Sequence, residues 1–283
     1  MKKIVYLLLA VLLTACEKAH LETGAENVTL SFTPSTADIT RATASVGNYF
    51  SKLNVQLFDA DGQKVFSSVR TQLSTDEDFG QMKMSLAVGT YTVVAVGHSS
   101  IKSATIKSPQ MVQFTASDGE KLTDTFCHCG QVTVGETGGK FSLVMNRVAA
   151  MLQLKLTDSD IPESFAKLRI DYTGGSANFN PSTSEGTTKS TQSENRQRND
   201  AGVYQVYTFP YMASTCKLKV TVSALTEDGT VIRQRVMNDV PMTRNRITTY
   251  EGPFFQDGDG QLSQSDFGFV VNADWDGEDV FDF

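Results

Sequence analysis

Histidine and tryptophan are scarce in this sequence, with three and one copies in 283 residues. It has no Gly-x-Ser-x-Gly elbow, phosphate loop or dinucleotide fingerprint, the local patterns that mark serine hydrolases and nucleotide-dependent enzymes. We therefore expect no catalytic residues and no cofactor. A carboxylate pair assembled in space from the 32 acidic residues is the enzymatic arrangement that the sequence leaves open.

Basic residues are too few for a nucleic-acid-binding surface. The chain has 25 Lys and Arg against 32 Asp and Glu, a formal charge of −7. Loss of Lys2 and Lys3 with a signal peptide would leave 23 against 32, or −9. Binding to DNA, RNA or a polyanionic membrane patch requires the opposite balance. We therefore expect no nucleic-acid partner.

The sequence also lacks an apolar run long enough to cross a membrane as a helix. Ile4–Leu13 spans ten residues, whereas a spanning helix needs about 20. This run follows Met1-Lys2-Lys3 and ends in Leu13-Thr14-Ala15-Cys16, which is typical of a secretory signal peptide and resembles the lipobox of bacterial lipoproteins. We predict a signal peptide over 1–15, acyl chains on Cys16, a polar tether over 16–26, and a lipid-anchored, surface-exposed protein of the outer membrane.

Cysteines are few, and three remain after lipidation of Cys16, namely Cys127, Cys129 and Cys216. An odd number permits at most one internal disulfide, so Cys216 pairs with Cys127 or Cys129, or all three are buried thiols. His128 lies between two of them, but alternation on a strand points it to the other face, and zinc needs four ligands. We predict no metal site there.

An acidic run near the end of the chain begins like a calcium loop. Asp257-Gly258-Asp259-Gly260 is followed by Gln261 and Leu262, and the twelfth position is Gly268. A calcium loop has an oxygen ligand and then glycine at the fifth and sixth positions, and glutamate at the twelfth. We interpret the run as a solvated turn, and the acidic residues around Trp275 as a charged surface flanking one aromatic anchor.

Short alternating or fully apolar runs dominate the rest and predict an all-β protein. Asp59-Ala60-Asp61-Gly62 separates two runs as a hairpin turn would. The predicted strands, in chain order, are Val28–Phe32, Leu53–Phe58, Lys64–Val69, Met82–Leu86, Thr90–Val96, Met111–Phe114, Gln131–Val134, Phe141–Met145, Val148–Leu156, Lys167–Tyr172, Tyr204–Phe209, Leu218–Ala224, Val231–Val236, Ile247–Tyr250 and Phe267–Val271. Thr90–Val96 is nearly all apolar, which predicts burial on both faces.

The strand signals fall into two sets, which predict two β-sandwich domains at 27–145 and 146–283. A polar stretch at 174–203, rich in Ser, Thr, Asn and Gln, is interpreted as a long mobile loop of the second domain.

The lipobox, the two β-rich halves and four further segments resemble the fimbrillin superfamily of Bacteroidetes. The segments are Leu53–Gly62, Val88–Gly97 with its Val-Gly-Thr-Tyr start, Arg147–Leu152, and Val240–Thr248 with its Pro and Asn-Arg-x-Thr. The similarity covers nearly the whole mature chain and is greatest to FimB/Mfa2-type fimbrial subunits, which include anchors. It implies two transthyretin-like Greek-key sandwich domains and assembly with other fimbrial subunits by strand exchange.

The resemblance also directs attention to Arg41, because polymerising members are cut after an arginine near the N-terminus. Cleavage there would remove the lipid and the strand at Val28–Phe32 together, whereas an anchor must keep its lipid; an uncut surface arginine is the alternative. A donor or edge strand is expected at Phe267, Phe269 and Val271 or at the terminal Phe281 and Phe283. For Phe267–Val271 the sequence favours the alternative, the last strand of its own domain.

The sequence thus predicts a non-enzymatic fimbrial subunit, an anchor or accessory component that supports cell adhesion. A stalk or tip subunit matured after Arg41 is one alternative. A surface glycan-binding lipoprotein is another, although one Trp and eight Tyr form no evident platform. The adhesion ligand is not identified by any motif.

Overall fold

A computed structural model of the chain describes residues 26–34, 46–115, 120–256, 275 and 278–282. These residues form strands and one short 3-10 helix, Val46–Asn48, which confirms the all-β prediction. The strands of the first half are β1 (Glu26–Pro34), β2 (Lys52–Phe58), β3 (Arg70–Leu73), β4 (Gln81–Leu86), β5 (Gly89–His98), β6 (Thr105–Ser108), β7 (Met111–Gln113), β8 (Phe126–Val134) and β9 (Gly139–Arg147).

The strands of the second half are β10 (Ala150–Leu156), β11 (Lys167–Ser176), β12 (Asn178–Asn180), β13 (Glu185–Gly186), β14 (Lys189–Gln197), β15 (Val203–Thr208), β16 (Thr215–Leu225), β17 (Val231–Thr243), β18 (Ile247–Gly252) and β19 (Glu278–Asp282). No helix among the described residues is both long and apolar enough to cross a membrane.

Seven strands of the first half form one sheet, in the order β3-β2-β5-β8-β9-β1-β4. β8 and β9 pair only at one end, where Phe126 faces Arg147 and Cys127 faces Asn146. The two parts of the sheet on either side of this junction therefore fold over one another. Their facing side chains form one buried cluster that includes Val28, Leu30, Phe32, Leu53, Val55, Leu57, Val93, Phe126, Val132 and Met145.

The second half contains two four-stranded sheets, β15-β10-β18-β19 and β14-β11-β16-β17. Alternate residues of both sheets face a common core, as in a β-sandwich. This core includes Leu152, Leu154, Leu168, Ile170, Tyr172, Val206, Val220, Val222 and Phe254. Each such side chain contributes about 1.5–3 kcal/mol on burial.

A small fourth sheet, in the order β13-β12-β7-β6, takes strands from both halves. β7 pairs with β12 through Val112 opposite Phe179 and Gln113 opposite Asn178. The sheet covers the outer face of β5, where Val94 and Val96 join a third buried cluster with Phe179. β5 is thus buried on both faces, as its nearly continuous apolar sequence predicts.

The predicted long mobile loop at 174–203 is wrong, because this stretch contains β12, β13 and β14. β14 runs beside β11 from Lys189 to Gln197. Its buried face carries Gln192 and Glu194 in place of apolar residues. Both are satisfied by hydrogen bonds, Gln192 from Lys121 at 2.9 Å and Glu194 from Arg196 at 3.0 Å. A polar but fully paired strand gives no hydrophobic alternation to detect.

The hairpin predicted after Leu53–Phe58 forms only in part. Asp59 accepts hydrogen bonds from the backbone N–H groups of Asp61 and Gln63, and Gly62 has a φ of 74°, so the turn is present. The returning chain makes only an isolated bridge at Lys64, and the strand that pairs with β2 begins at Arg70. Val65 and Phe66 instead pack against the first core, which takes them out of line with β2.

The predicted domain boundary near Asn146 lies where the chain passes from β9 to β10 and changes sheet. The shared sheet of β6, β7, β12 and β13 nevertheless joins the segments on both sides of it. The division into two domains therefore stays a prediction.

Candidate assembly edges

Most residues predicted to act in anchoring or assembly lie outside the described residues. These are Cys16, Arg41, Phe267, Phe269, Val271 and Phe283. Phe281 lies in β19, within the chain's own sheet. The described segments that flank these positions are β1, before Arg41, and the β18–β19 edge, which adjoins the C-terminal segment.

β1 is a central strand with hydrogen-bonded neighbours on both sides. It runs antiparallel to β4 and parallel to β9. Val28, Leu30 and Phe32 alternate with polar residues and are at most 2% exposed. Burial of three such side chains stabilises the sheet by roughly 5–9 kcal/mol. The strand on the lipid side of Arg41 is therefore an integral part of the first core.

β19 forms the edge of the sheet beside β18 and runs parallel to it, with Ile247 opposite Glu278 and Glu251 opposite Asp282. Phe281 is half-buried and stacks on Tyr250, with ring centroids 4.9 Å apart and an interplanar angle of 23°. Burial raises the pKa of the Tyr250 hydroxyl to about 12. The C-terminal strand thus satisfies the backbone edge of β18 and covers one end of the second core.

The chain just after β18 is held by Asp158. Its carboxylate accepts hydrogen bonds from the backbone N–H groups of Phe254 and Phe255, at 2.7 Å and 2.6 Å. Arg233 donates to the carbonyl oxygen of Phe255 at 2.8 Å, and Arg235 donates to that of Phe254 at 3.3 Å. A carboxylate on successive amides is a strong, charge-assisted arrangement. The start of the C-terminal segment is therefore fixed to the second sandwich.

Arg147, the last residue of β9, lies at the meeting point of both halves and the C-terminal segment. Its Nε donates to the two carboxylate oxygens of Asp124 at 2.9 Å and 3.1 Å. Its Nη1 donates to Asn245 at 3.0 Å. The guanidinium carbon lies 4.6 Å from the ring centroid of Phe126 and 3.9 Å from that of Trp275. Burial raises the pKa of the Asp124 carboxyl, an effect that the ion pair with Arg147 partly opposes.

Sequence reasoning missed this cluster, although Arg147 and Asn245 both lie in segments singled out above. Their motifs identified a family and gave no reason for the two side chains to meet. The sequence feature that pointed to this cluster was the single tryptophan, which is flanked by acidic residues.

A polar groove of about 360 Å³ lies beside Asp124. It is lined by Ser99, Glu120, Thr123, Asp124, Arg196, Gln197, Asn199, Val203, Tyr204, Gln205 and Tyr207. Burial raises the pKa of Tyr207 far above its ordinary value, and nearby Asp124 and Glu120 add to this. The lining has no histidine or cysteine, so a nucleophile–base pair of the usual kind is absent from this groove.

The three cysteines in the described region are unpaired, so neither of the disulfides considered above forms. Cys127 is buried, and burial raises the pKa of its thiol. His128 points to the other side of β8, where its Nδ1 lies 2.8 Å from the carbonyl oxygen of Val144. Among the described residues, no group of three or more His, Cys, Asp or Glu side chains is placed to hold a metal ion.

His98 is fully buried at the end of β5 and has a structural role. Its Nδ1 accepts a hydrogen bond from the backbone N–H of Ser100 at 3.1 Å, so the proton is on Nε2, which lies 2.8 Å from the side-chain oxygen of Asn54. Burial lowers the pKa of His98 to about 3, and Lys52 contributes in the same direction. The ring is neutral at pH 7 and faces no open site.

Comparison with known proteins identifies the family. The family model of fimbrillin-A associated anchor proteins Mfa1 and Mfa2 matches residues 14–281. No curated protein matches the chain.

Several solved structures are similar to this chain. A candidate adhesin from Bacteroides thetaiotaomicron is 14% identical, with a TM-score of 0.48, over 76% of this chain and 81% of the other. The fimbrial anchor protein Mfa2 from Porphyromonas gingivalis is 16% identical, with a TM-score of 0.42, over 75% and 82%. A fimbrial assembly protein from Parabacteroides distasonis is 11% identical, with a TM-score of 0.43, over 81% and 91%.

Proposed function

Because the chain belongs to the family of fimbrillin-A associated anchor proteins, we propose that it is the outer-membrane anchor or an accessory subunit of a fimbria. In this proposal acyl chains on Cys16 hold the protein in the membrane, and its β-sandwich body binds other fimbrial subunits. The role is structural and adhesive and requires no catalysis.

The observation that carries the anchor role is the position of β1. An anchor must keep a continuous connection between its lipid and its folded body. β1 is bonded on both sides, and Val28, Leu30 and Phe32 are buried in the first core. Cleavage after Arg41 would leave this strand held only by non-covalent contacts. Without cleavage, a pulling force on the fimbria passes through β1 to the lipid.

Assembly by strand complementation is supported by the β18 edge. A strand added at a sheet edge satisfies unpaired N–H and C=O groups and places alternate side chains in pockets. β19 supplies such a strand from the same chain, and Phe281 covers Tyr250. An extended segment from another subunit would find the same hydrogen-bonding edge if β19 were displaced.

Membrane fractionation of a Cys16→Ala variant tests the anchor. One acyl chain binds a membrane only marginally, whereas two or more give stable attachment. We expect the variant to leave the outer-membrane fraction or to retain its signal peptide, and we expect fimbriae to be shed into the medium. Cys129→Ala, which removes a half-buried thiol distant in sequence from the lipobox, is the matched control and should fractionate like the wild type. Unchanged membrane attachment of Cys16→Ala would rule out the lipid anchor.

The alternative, a stalk or tip subunit, differs in one measurable respect. Such a subunit would be cut after Arg41 and would lose both its lipid and the covalent connection to β1. Shed fimbriae containing this chain without residues 1–41 would favour that alternative.

A further inference from the structure

Three side chains of the folded body contact the guanidinium of Arg147. Asp124 and Asn245 accept hydrogen bonds from its Nε and Nη1. Phe126 covers the guanidinium with its carbon 4.6 Å from the ring centroid. None of these three side chains belongs to the C-terminal segment. A fixed, largely buried cation is well suited to bind an aromatic ring.

Trp275 occupies this site. Its ring centroid is 3.9 Å from the guanidinium carbon of Arg147, and it precedes β19 by only three residues. The contact therefore lies directly beside the start of the pairing between β18 and β19, where Ile247 is opposite Glu278. Among the strands that the structure describes, β19 pairs with β18 alone, and an edge strand of five residues opens locally at low energetic cost.

We propose that the stack of Trp275 on Arg147 is a latch that holds β19 on β18. When Trp275 is docked, β19 covers the edge of β18 and Phe281 covers Tyr250. When Trp275 leaves, the site at Arg147 stays preformed and the β18 edge becomes accessible. The latch requires only this chain, whereas its use in controlling subunit assembly rests on the proposed function.

The two ring contacts are placed to act together. Phe281 in β19 stacks on Tyr250 in β18, with ring centroids 4.9 Å apart, and Trp275 contacts Arg147 three positions before β19 begins. Loss of the Trp275 contact lengthens the segment that must become ordered when β19 docks, and this raises the entropy cost of docking. Trp275 is also the single tryptophan of the chain, so intrinsic fluorescence reports its environment without a label.

Hydrogen exchange of the full mature chain tests the latch. Trp275→Ala should speed exchange of the amides of 278–282 by about 5- to 30-fold, since a partly buried cation–π contact has the corresponding strength. Trp275→Phe keeps an aromatic ring over the cation and should give an intermediate rate. Amides of β1 serve as an internal reference and should not change.

Phe66→Ala is the matched control, because it removes a ring that stacks on another arginine, Arg70, at 4.6 Å. It should leave exchange at 278–282 unaltered. Equal rates in Trp275→Ala and the wild type would overturn the latch, and so would faster exchange spread evenly over the whole chain. In the wild type, a tryptophan emission spectrum equal to that of free tryptophan would also contradict the proposal. These readouts use the isolated chain, so their failure is distinct from a failure of the fimbrial role.

Discussion

At the scale of single residues, the buried polar side chains that the structure describes are hydrogen-bonded, with the Nε2 of His128 as the exception, and they account for features that the sequence conceals. His98 is buried and would be taken for a functional histidine in a protein with only three. Its Nδ1 accepts from Ser100 and its Nε2 donates to Asn54, which joins β2 to the chain that follows β5. The ring is thus part of the fold, and protonation would break one of its hydrogen bonds.

His98 predicts a pH-dependent stability. Its pKa in the folded protein is about 3, below the ordinary value of about 6.5. The contribution of the neutral ring is therefore complete above pH 6.5 and is lost as the pH falls toward 3, because the unfolded chain takes up the proton first. Between pH 7 and pH 4, wild type should lose about 3 kcal/mol more unfolding free energy than His98→Gln.

Urea unfolding of wild type and His98→Gln at pH 7 and pH 4 measures this difference. Carboxylates that titrate in the same range are common to the two proteins, so their contribution cancels in the comparison. Thr33→Ala changes an exposed residue without a titratable group, so it provides a control that should keep the pH slope of the wild type. Identical slopes in wild type and His98→Gln would contradict the account.

At the scale of elements, strands with an apolar face could be predicted from sequence, and strands with a polar face could not. β1, β2 and β5 follow directly from alternating or continuous apolar residues. β14 does not, because Gln192 and Glu194 occupy its buried face, and Gln192 is satisfied by Lys121, which is distant in sequence. Propensity and periodicity contain no information about such partners.

The same limit applies to the candidate sites. Cys16 and Arg41 could be proposed from the sequence because targeting and processing signals are local in sequence. The contact between Arg147 and Trp275 joins residues more than a hundred positions apart, and no local pattern indicates it. The sequence predicts a donor or edge strand at Phe281, and this residue lies in β19, which pairs with β18 of its own chain; its use as a donor to a partner stays a prediction.

The position of β1 predicts that truncating one of its buried side chains strongly lowers the unfolding free energy. Phe32 is 2% exposed in the first core, so Phe32→Ala should lower the unfolding free energy by about 3–5 kcal/mol. Thr33→Ala changes the next residue of the strand, which is exposed, and should alter the unfolding free energy by no more than about 0.5 kcal/mol. Urea denaturation of the mature chain measures both. Similar midpoints for the two variants would show that β1 does not belong to the core.

At the scale of the whole molecule, the shared sheet determines how the two halves behave. β7 from the first half pairs with β12 from the second through Val112 and Phe179. Phe179 is fully buried and packs on Phe209 with ring centroids 4.8 Å apart. Separating the halves would expose this cluster and leave the edges of β7 and β12 unpaired.

We therefore predict that the halves unfold together. Calorimetry of the mature chain should give one transition whose van't Hoff enthalpy matches the calorimetric enthalpy. A fragment covering 146–283 should be less stable than the same residues in the whole chain, because β12 would lack β7. Two resolved transitions, or a fragment as stable as the whole, would show that the halves are independent domains.

The central claim is that this subunit stays attached to the membrane through its own N-terminus while β1 remains in the sheet. The most direct test is the mass and N-terminal sequence of the protein purified from the cell surface. The account predicts a chain that begins at an acylated Cys16 and includes Arg41 uncut. A chain that begins with a free amino group at Ala42 would contradict it.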